Sequence, residues 1–162
     1  MDKSEPSIAG ALIDLSKLHT AIIDSSSIIY MQKAGYLLLV NDIIHLLTTP
    51  SVYSETGLRS GIDLIGCDIH AGMAADDELI YLAYKSGFPL ISEDKRLLQE
   101  LKKKGKQYFN SLMILLLLRM RKRINDEEFE GYKDELKSVA RYSSMVWEFG
   151  QEVYREILRR EF

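Results

Sequence analysis

Residues 20–24, Thr20-Ala21-Ile22-Ile23-Asp24, and residues 88–94, Phe88-Pro89-Leu90-Ile91-Ser92-Glu93-Asp94, decide the fold of this chain. Each is a short apolar run that leads into an aspartate. Parallel strands buried on both faces have such continuous apolar sequences, and open α/β sheets bind their ligands beyond the carboxyl ends of those strands. We therefore expect both runs to be strands of one parallel sheet, with Asp24 and Asp94 in a shared crevice at its carboxyl edge.

The composition is that of an ordinary globular protein. The chain has 162 residues, of which 46% are apolar and 28% are charged, and its formal net charge is -3. This length predicts one domain, and the composition indicates neither a disordered nor a membrane protein. The slight acidity excludes capture of nucleic acid by the whole surface, although a local basic patch could still bind it.

The cysteine content and the N-terminal sequence bear on the compartment. Cys67 is the only cysteine, and a lone thiol, which cannot form an internal disulfide, fits a reducing compartment. The N-terminus, Met1-Asp2-Lys3-Ser4-Glu5-Pro6, has no cationic segment leading into an apolar one, so no secretion signal is visible. We expect a cytoplasmic protein without membrane contact.

The pattern along the chain predicts alternating strands and helices, followed by helices alone. Residues 1–18 are predicted to form a loose N-terminal arm with one helical turn, 19–109 an α/β core, and 110–162 a helical extension packed on the same domain. After the first strand, the core is predicted to contain a short helix at Val52 to Arg59 and a strand at Ile62 to Ile65. Two longer helices are predicted at Ala74 to Ser86 and Lys95 to Lys104. Strands separated by helices predict a doubly wound, three-layer αβα architecture with a small central parallel sheet.

The helix from Ala74 begins with three consecutive acids, Asp76, Asp77 and Glu78. Residues three, four and seven positions apart share a helix face. From Asp76 those steps reach only apolar residues, whereas Glu78 heads a mixed, partly charged face. A carboxylate that faces a core must be paired, hydrogen-bonded or bound to metal, because burying it bare costs several kcal/mol or more. We therefore expect Asp76 to face inward and bind metal, although a shift of one residue would put Asp77 in its place.

Four segments follow one another in a fixed order over about residues 20–104: Ala21-Ile22-Ile23-Asp24-Ser25-Ser26, Thr49-Pro50-Ser51-Val52-Tyr53-Ser54-Glu55, Asp76 through Ala83 to Gly87, and Pro89-Leu90-Ile91-Ser92-Glu93-Asp94-Lys95. In order and spacing they resemble the PIN-domain family of Mg²⁺- or Mn²⁺-dependent nucleases, which have a small doubly wound α/β fold. The resemblance implies a site of four acids, Asp24, Glu55, Asp76 and Asp94, with metal at Asp24, Asp76 and Asp94 and with support from Ser92 and Ser25. Taken singly, Asp24 and Asp94 could be only helix N-caps, and Glu55 only a solvated charge.

The resemblance implies a ribonuclease that hydrolyses phosphodiester bonds with Mg²⁺ or Mn²⁺ as cofactor. Oxygen donors without histidine or cysteine favour these ions over zinc. The alternative is a catalytically silent PIN fold that binds RNA or a protein. A phospho-acceptor receiver domain shares the sheet type, but it needs an acid pair at the first strand end, where this chain has three serines. The helices after residue 110 make the chain larger than the smallest family members, which are commonly toxins of toxin–antitoxin pairs.

The expected binding partners are inferred from the same resemblance and from two basic runs in the sequence. We expect an RNA substrate and a homodimer, and the sequence leaves open an antitoxin-like protein partner. Basic side chains can hold phosphates, although basic runs are more often solvated helix ends; the candidates are Lys102, Lys103, Arg119 and Arg121. The apolar run Leu112 to Leu118 is predicted to be buried, either between the α/β layer and the last helices or in a dimer interface.

Overall fold

The centre of the fold is a five-stranded sheet whose strands all run parallel. The computed structural model describes residues 7–56, 61–65 and 73–160. The strands are β1 (Thr20–Ile23), β2 (His45–Thr48), β3 (Ile62–Leu64), β4 (Leu90–Ile91) and β5 (Tyr108–Phe109), in the order β3-β2-β1-β4-β5. The winding direction reverses between β1 and β4. Doubly wound sheets bind ligands at this switch point, beyond the carboxyl ends of the two strands.

Helices flank the sheet and follow it in the chain. The described helices are α1 (Ile8–Ser16), α2 (Ser25–Ala34), α3 (Leu37–Asn41), α4 (Pro50–Thr56), α5 (Ala75–Ser86), α6 (Lys95–Lys103), α7 (Ser111–Met120), α8 (Asp126–Val139) and α9 (Ser144–Arg160). The predicted class, a doubly wound α/β fold with a small parallel sheet and C-terminal helices, is confirmed. The predicted domain boundaries stay a prediction.

Burial explains why the strand sequences are apolar without alternation. Ala21, Ile22 and Ile23 of β1 are fully buried, as are Leu90 and Ile91 of β4. A central parallel strand has helices on both faces, so every side chain along it is removed from water.

The apolar run Leu112 to Leu118 is buried within the chain itself. All its residues except the partly buried Met113 belong to the core, and α7 packs against α1, α2, α8 and α9. Of the two predicted settings for this run, burial against the last helices is therefore the one observed. At one crossing Gly150 of α9 lies close to α7: a Cβ there would lie 2.7 Å from Cδ2 of Leu112, so the leucine side chain would have to shift.

Local predictions failed where distant packing decides the structure. The described part of the predicted loose arm contains the nine-residue helix α1, whose Leu12 and Leu15 are buried. Strand β5 was not predicted, since two residues are too short to show a period. Residues 66–72, with Cys67, and the end of the helix predicted at 52–59 lie outside the described residues.

Hydropathy gives one further result. Over residues 7–56, 61–65 and 73–160, no helix is both long and apolar enough to cross a membrane.

Candidate active site

Asp24 lies at the switch point and is held by four donors. It follows β1, caps the N-terminus of α2 and is only 8% exposed. Its backbone N–H donates to the carbonyl of Ile91 in β4 at 2.9 Å. Oδ1 accepts from the N–H of Ser25 at 2.7 Å and, weakly, from its hydroxyl at 3.4 Å. Oδ2 accepts from the hydroxyls of Ser92 at 2.8 Å and Ser26 at 3.2 Å, so the carboxylate has a fixed orientation.

The turn after β4 orients both of those hydroxyls. The Oγ atom of Ser92 accepts a hydrogen bond from the N–H of Asp94, and Oγ of Ser26 accepts one from the N–H of Glu93, each at 3.1 Å. Each hydroxyl then has its own proton available for Asp24. The adjacent backbone N–H groups of Glu93 and Asp94 therefore orient the two hydroxyls, and the hydroxyls in turn orient the carboxylate of Asp24.

Asp94 stands beside this network as the N-cap of α6. Its Oδ1 accepts from the N–H groups of Arg96 at 2.9 Å and Leu97 at 3.2 Å. Both capping bonds use the same oxygen, which leaves Oδ2 outside the cap. The capping interpretation of Asp24 and Asp94 is thus correct, and it is compatible with a role in binding, because the caps hold both carboxylates at the carboxyl edge of the sheet.

Asp76, in the first turn of α5, shares the electrostatic field of these two acids. Its pKa is raised, first by partial burial, then by the negative charges of Asp94 and Asp24, and least by Asp77, while Arg96 lowers it. Asp76 thus lies within the electrostatic influence of two acids from other elements, although the three carboxylates are not arranged as a metal site in the described residues.

The predicted inward orientation of Asp76 is wrong. Asp76 is exposed, and the buried acid of α5 is Glu78, which is 3% exposed and accepts a short hydrogen bond from the hydroxyl of Ser51. The buried face of α5 is centred closer to Glu78 than the sequence pattern suggested. Its buried members are Glu78, Leu79, Leu82 and Ala83.

Glu55 is not brought into the group. It is exposed on α4 and is not among the charges that shift the pKa of Asp76. Among the residues that the structure describes, no set of three or more His, Cys, Asp or Glu side chains is placed to hold a metal ion. The donors are carboxylate oxygens, whose chemistry suits Mg²⁺ or Mn²⁺, but their arrangement is not yet a coordination shell, and the metal stays a prediction.

The predicted phosphate contacts lie away from these carboxylates. The guanidinium of Arg121 donates to the backbone carbonyls of Ile43, at 2.9 Å, and of Leu18, both just before strands begin, and Arg119 pairs with Asp126 at 2.6 Å. Burial lowers the pKa of Arg121. Arg121 is thus engaged at the amino edge of the sheet, whereas Arg119 is engaged by an exposed acid of α8.

Lys102 and Lys103 form the last turn of α6. This helix starts at Asp94 and spans nine residues, which is about 13 Å of helix at a rise of about 1.5 Å per residue. The two lysines therefore lie too far from Asp94 to contact a phosphate bound there.

Sequence reasoning missed a further carboxylate at the switch point, Glu93. Its carboxylate accepts from the N–H of Ser111 at 3.0 and 3.1 Å and from its hydroxyl at 3.1 Å, and short bonds come from the hydroxyls of Ser27 and Tyr142. Burial raises the pKa of Glu93, although these hydrogen bonds oppose the rise. Burial and the Glu93 charge raise the pKa of Tyr142.

One signal in the sequence could have found this network. Three serines follow Asp24, whereas an N-cap needs no such triplet. Ser25 and Ser26 donate to Asp24, and Ser27 donates to Glu93. The triplet therefore binds two carboxylates, Asp24 after β1 and Glu93 after β4.

The similarity of this chain to known proteins is structural. No protein-family model matches the chain. A search of curated proteins finds no match either. Among solved structures, the chain is similar to a PilT N-terminus domain protein of the hyperthermophilic archaeon Sulfolobus solfataricus P2, with a TM-score of 0.47 and 19% identity, over 65% of this chain and 96% of that chain. The function must therefore be argued from the residues of this chain.

Proposed function

We propose that this protein is a metal-dependent phosphodiesterase that cleaves RNA, with Asp24, Asp76 and Asp94 as its site. The observation that carries the proposal is that Asp24 and Asp94 directly follow the ends of β1 and β4, the two adjacent strands between which the sheet reverses its winding. Like charges near one another destabilise the ionised site unless a cation compensates them. A positively charged ligand would compensate the charges of Asp24 and Asp94 at the switch point, and Asp76 would complete the site on binding.

The three carboxylates of the proposed site differ in how firmly the protein holds them, and we assign their roles accordingly. Asp24, with its four donors, and Asp94, with its capping bonds, supply fixed oxygens. Asp76 is exposed and caps no helix, since Ala74 occupies the N-cap of α5, so its side chain can adapt to a ligand. A bound Mg²⁺ or Mn²⁺ would polarise a phosphate oxygen and lower the pKa of a water molecule. Arg96, which is exposed and lies two residues after Asp94, would contact a phosphate beside the carboxylates.

The test is cleavage of labelled single-stranded RNA with Mn²⁺ and with EDTA. We expect wild type to cleave only with Mn²⁺, and Asp24→Asn to lose more than about 100-fold, since even outer-shell partners of a metal are worth about 10- to 100-fold. Asp77→Asn is the matched control, because it removes an exposed carboxylate from the same helix turn and should keep most of the activity. Cleavage that survives both EDTA and Asp24→Asn would overturn the proposal.

One observation favours the second candidate, a catalytically silent module that binds RNA or a protein. In the described ranges no three potential ligands converge, and Glu55 stands apart. For such a module, calorimetry would detect no Mn²⁺ binding, and varied RNA substrates would stay intact.

A further inference from the structure

A strong concentration of positive charge lies on and just after α6. Residues 95–106 contain one acid, Glu100, and six cations, Lys95, Arg96, Lys102, Lys103, Lys104 and Lys106, in a chain whose net charge is -3. On the helix itself, Glu100 is partly buried, whereas the exposed positions are Lys95, Arg96, Gln99, Lys102 and Lys103. A face with cations and no exposed acid attracts polyanions.

Two exposed aromatic rings lie next to this charge, on the neighbouring helix α5. Tyr84 is 64% exposed and Tyr81 is 38% exposed, and residues three apart share a helix face. The ammonium group of Lys106 lies 4.8 Å from the ring centre of Tyr84, and that of Lys85 lies 5.7 Å from the ring centre of Tyr81. Aromatic rings that stack bases, combined with cations that hold the backbone, are what surfaces for single-stranded nucleic acid consist of.

The position of this surface connects it with the carboxylates. Helices α5 and α6 pack against each other. Both begin at the carboxyl edge of the sheet, where Asp76 lies in the first turn of α5 and Asp94 caps α6. Arg96 is close enough to Asp76 to lower its pKa. The cations and rings therefore extend from the carboxylate site along both helices toward the opposite edge.

The other basic run, residues 119–123, is used differently. Arg119 pairs with Asp126, Arg123 pairs with Asp42 at 2.7 Å, and Arg121 binds backbone carbonyls. Three acids also follow this run at the start of α8. Its charge is largely compensated, so it is a poorer surface for a polyanion than α6.

We propose that Arg96, Lys102, Lys103, Lys106, Tyr81 and Tyr84 form a surface, the α5–α6 surface, that binds single-stranded RNA and leads it to the carboxylates. Only the destination of the strand rests on the proposed nuclease function. Unpaired bases are specified because bases within a duplex cannot stack on side chains. Lys102 and Lys103 lie at the opposite end of α6 from Asp94. They would therefore bind other phosphates of the strand than the one at the carboxylates.

The test is fluorescence anisotropy of a labelled single-stranded RNA in EDTA, so that binding is measured without cleavage. We expect Tyr84→Ala to weaken binding about 5-fold or more. The double variant Lys103→Gln/Lys106→Gln should weaken it about 10-fold and reduce the dependence on salt, because each lost phosphate contact lowers the slope of log K against log salt by about 0.7. The control Lys17→Gln/Lys33→Gln removes the same charge from α2 and the end of α1 and should bind as wild type does.

Three results would overturn this proposal: no RNA binding by wild type, equal losses in the two double variants, or duplex RNA bound as tightly as single-stranded RNA. The last result would assign the surface to polyanions in general. Since binding is measured without metal, absence of cleavage with intact binding would refute only the nuclease. Intact cleavage with unchanged binding in Tyr84→Ala and Lys103→Gln/Lys106→Gln would refute only the α5–α6 surface.

Discussion

The hydroxyl of Ser92 donates a hydrogen bond of 2.8 Å to Oδ2 of Asp24, between residues 68 positions apart in the chain. Ser92 follows β4 and is fully buried, and Asp24 follows the adjacent strand β1. The bond joins the ends of two strands at the point where the sheet reverses its winding. The orientation of the Asp24 carboxylate thus depends on the turn after β4 as much as on its own helix cap.

We expect Ser92→Ala to lower the free energy of unfolding by about 1–3 kcal/mol, because it leaves a buried carboxylate short of one donor. Urea denaturation followed by circular dichroism measures this. The control is Ser138→Ala, whose exposed hydroxyl bonds only the carbonyl of Glu135 in its own helix, and which should stay within about 0.5 kcal/mol of wild type. Equal losses in the two variants would contradict the role given to Ser92.

The network around Glu93 predicts a pH dependence of stability. Burial raises the pKa of Glu93 above its usual value of 4.5, so the folded protein binds this proton more tightly than the unfolded chain does. The stabilisation that this protonation gives is complete below about pH 4.5. It is lost as the pH rises through the pKa that Glu93 has in the folded protein. We expect the advantage of wild type over Glu93→Gln, measured as free energy of unfolding, to shrink as the pH rises through that window.

A second variant identifies the cause of this dependence. The hydrogen bond from Tyr142 lowers the pKa of Glu93, so Tyr142→Phe should move the loss of stability to higher pH. A difference between wild type and Glu93→Gln that grows with pH would show that the ionised form is the one that the fold favours.

The three carboxylates of the proposed site predict how metal acts on stability. We expect millimolar Mn²⁺ to raise the melting temperature of wild type, because a ligand that binds only the folded state stabilises it. Asp76→Asn should melt higher than wild type without metal, since it removes a charge that Asp94 and Asp24 repel, and should respond weakly to Mn²⁺. Asp77→Asn should respond as wild type does. A reversal of these two variants in a thermal-shift measurement would identify Asp77 as the site residue.

The sequence predicts those parts of the fold and site that local patterns determine. Apolar runs at β1 and β4 predict parallel strands, and the turns after them place Asp24 and Asp94 at one edge. Helix α1 could not be predicted, because its buried face is covered by α7 and α9, which follow about a hundred residues later. The exposure of Asp76 and the burial of Glu78 depend on how α5 is rotated against the sheet, and packing, not periodicity, sets that angle.

A last prediction compares two helical glycines, one packed closely at the crossing of α7 and α9 and one with open space around it. A Cβ at Gly150 would lie 2.7 Å from Cδ2 and 3.3 Å from Cγ of Leu112, whereas one at Gly131 in α8 would meet nothing within 4 Å. Gly150→Ala should therefore cost about 1–3 kcal/mol of unfolding free energy through overpacking. Gly131→Ala should add about 0.5–1 kcal/mol, because alanine loses less conformational entropy in a helix.

A double-mutant cycle separates this contact from a general effect on α9. If overpacking against Leu112 is the cause, Gly150→Ala should cost much less in a Leu112→Ala background, which provides space for the added methyl group, and the two substitutions should couple by about 0.5 kcal/mol or more. Urea denaturation of the four proteins measures the coupling. Strict additivity would mean that the helices shift apart without strain at this position. Destabilisation by Gly131→Ala would show that position 131 also has a packing constraint.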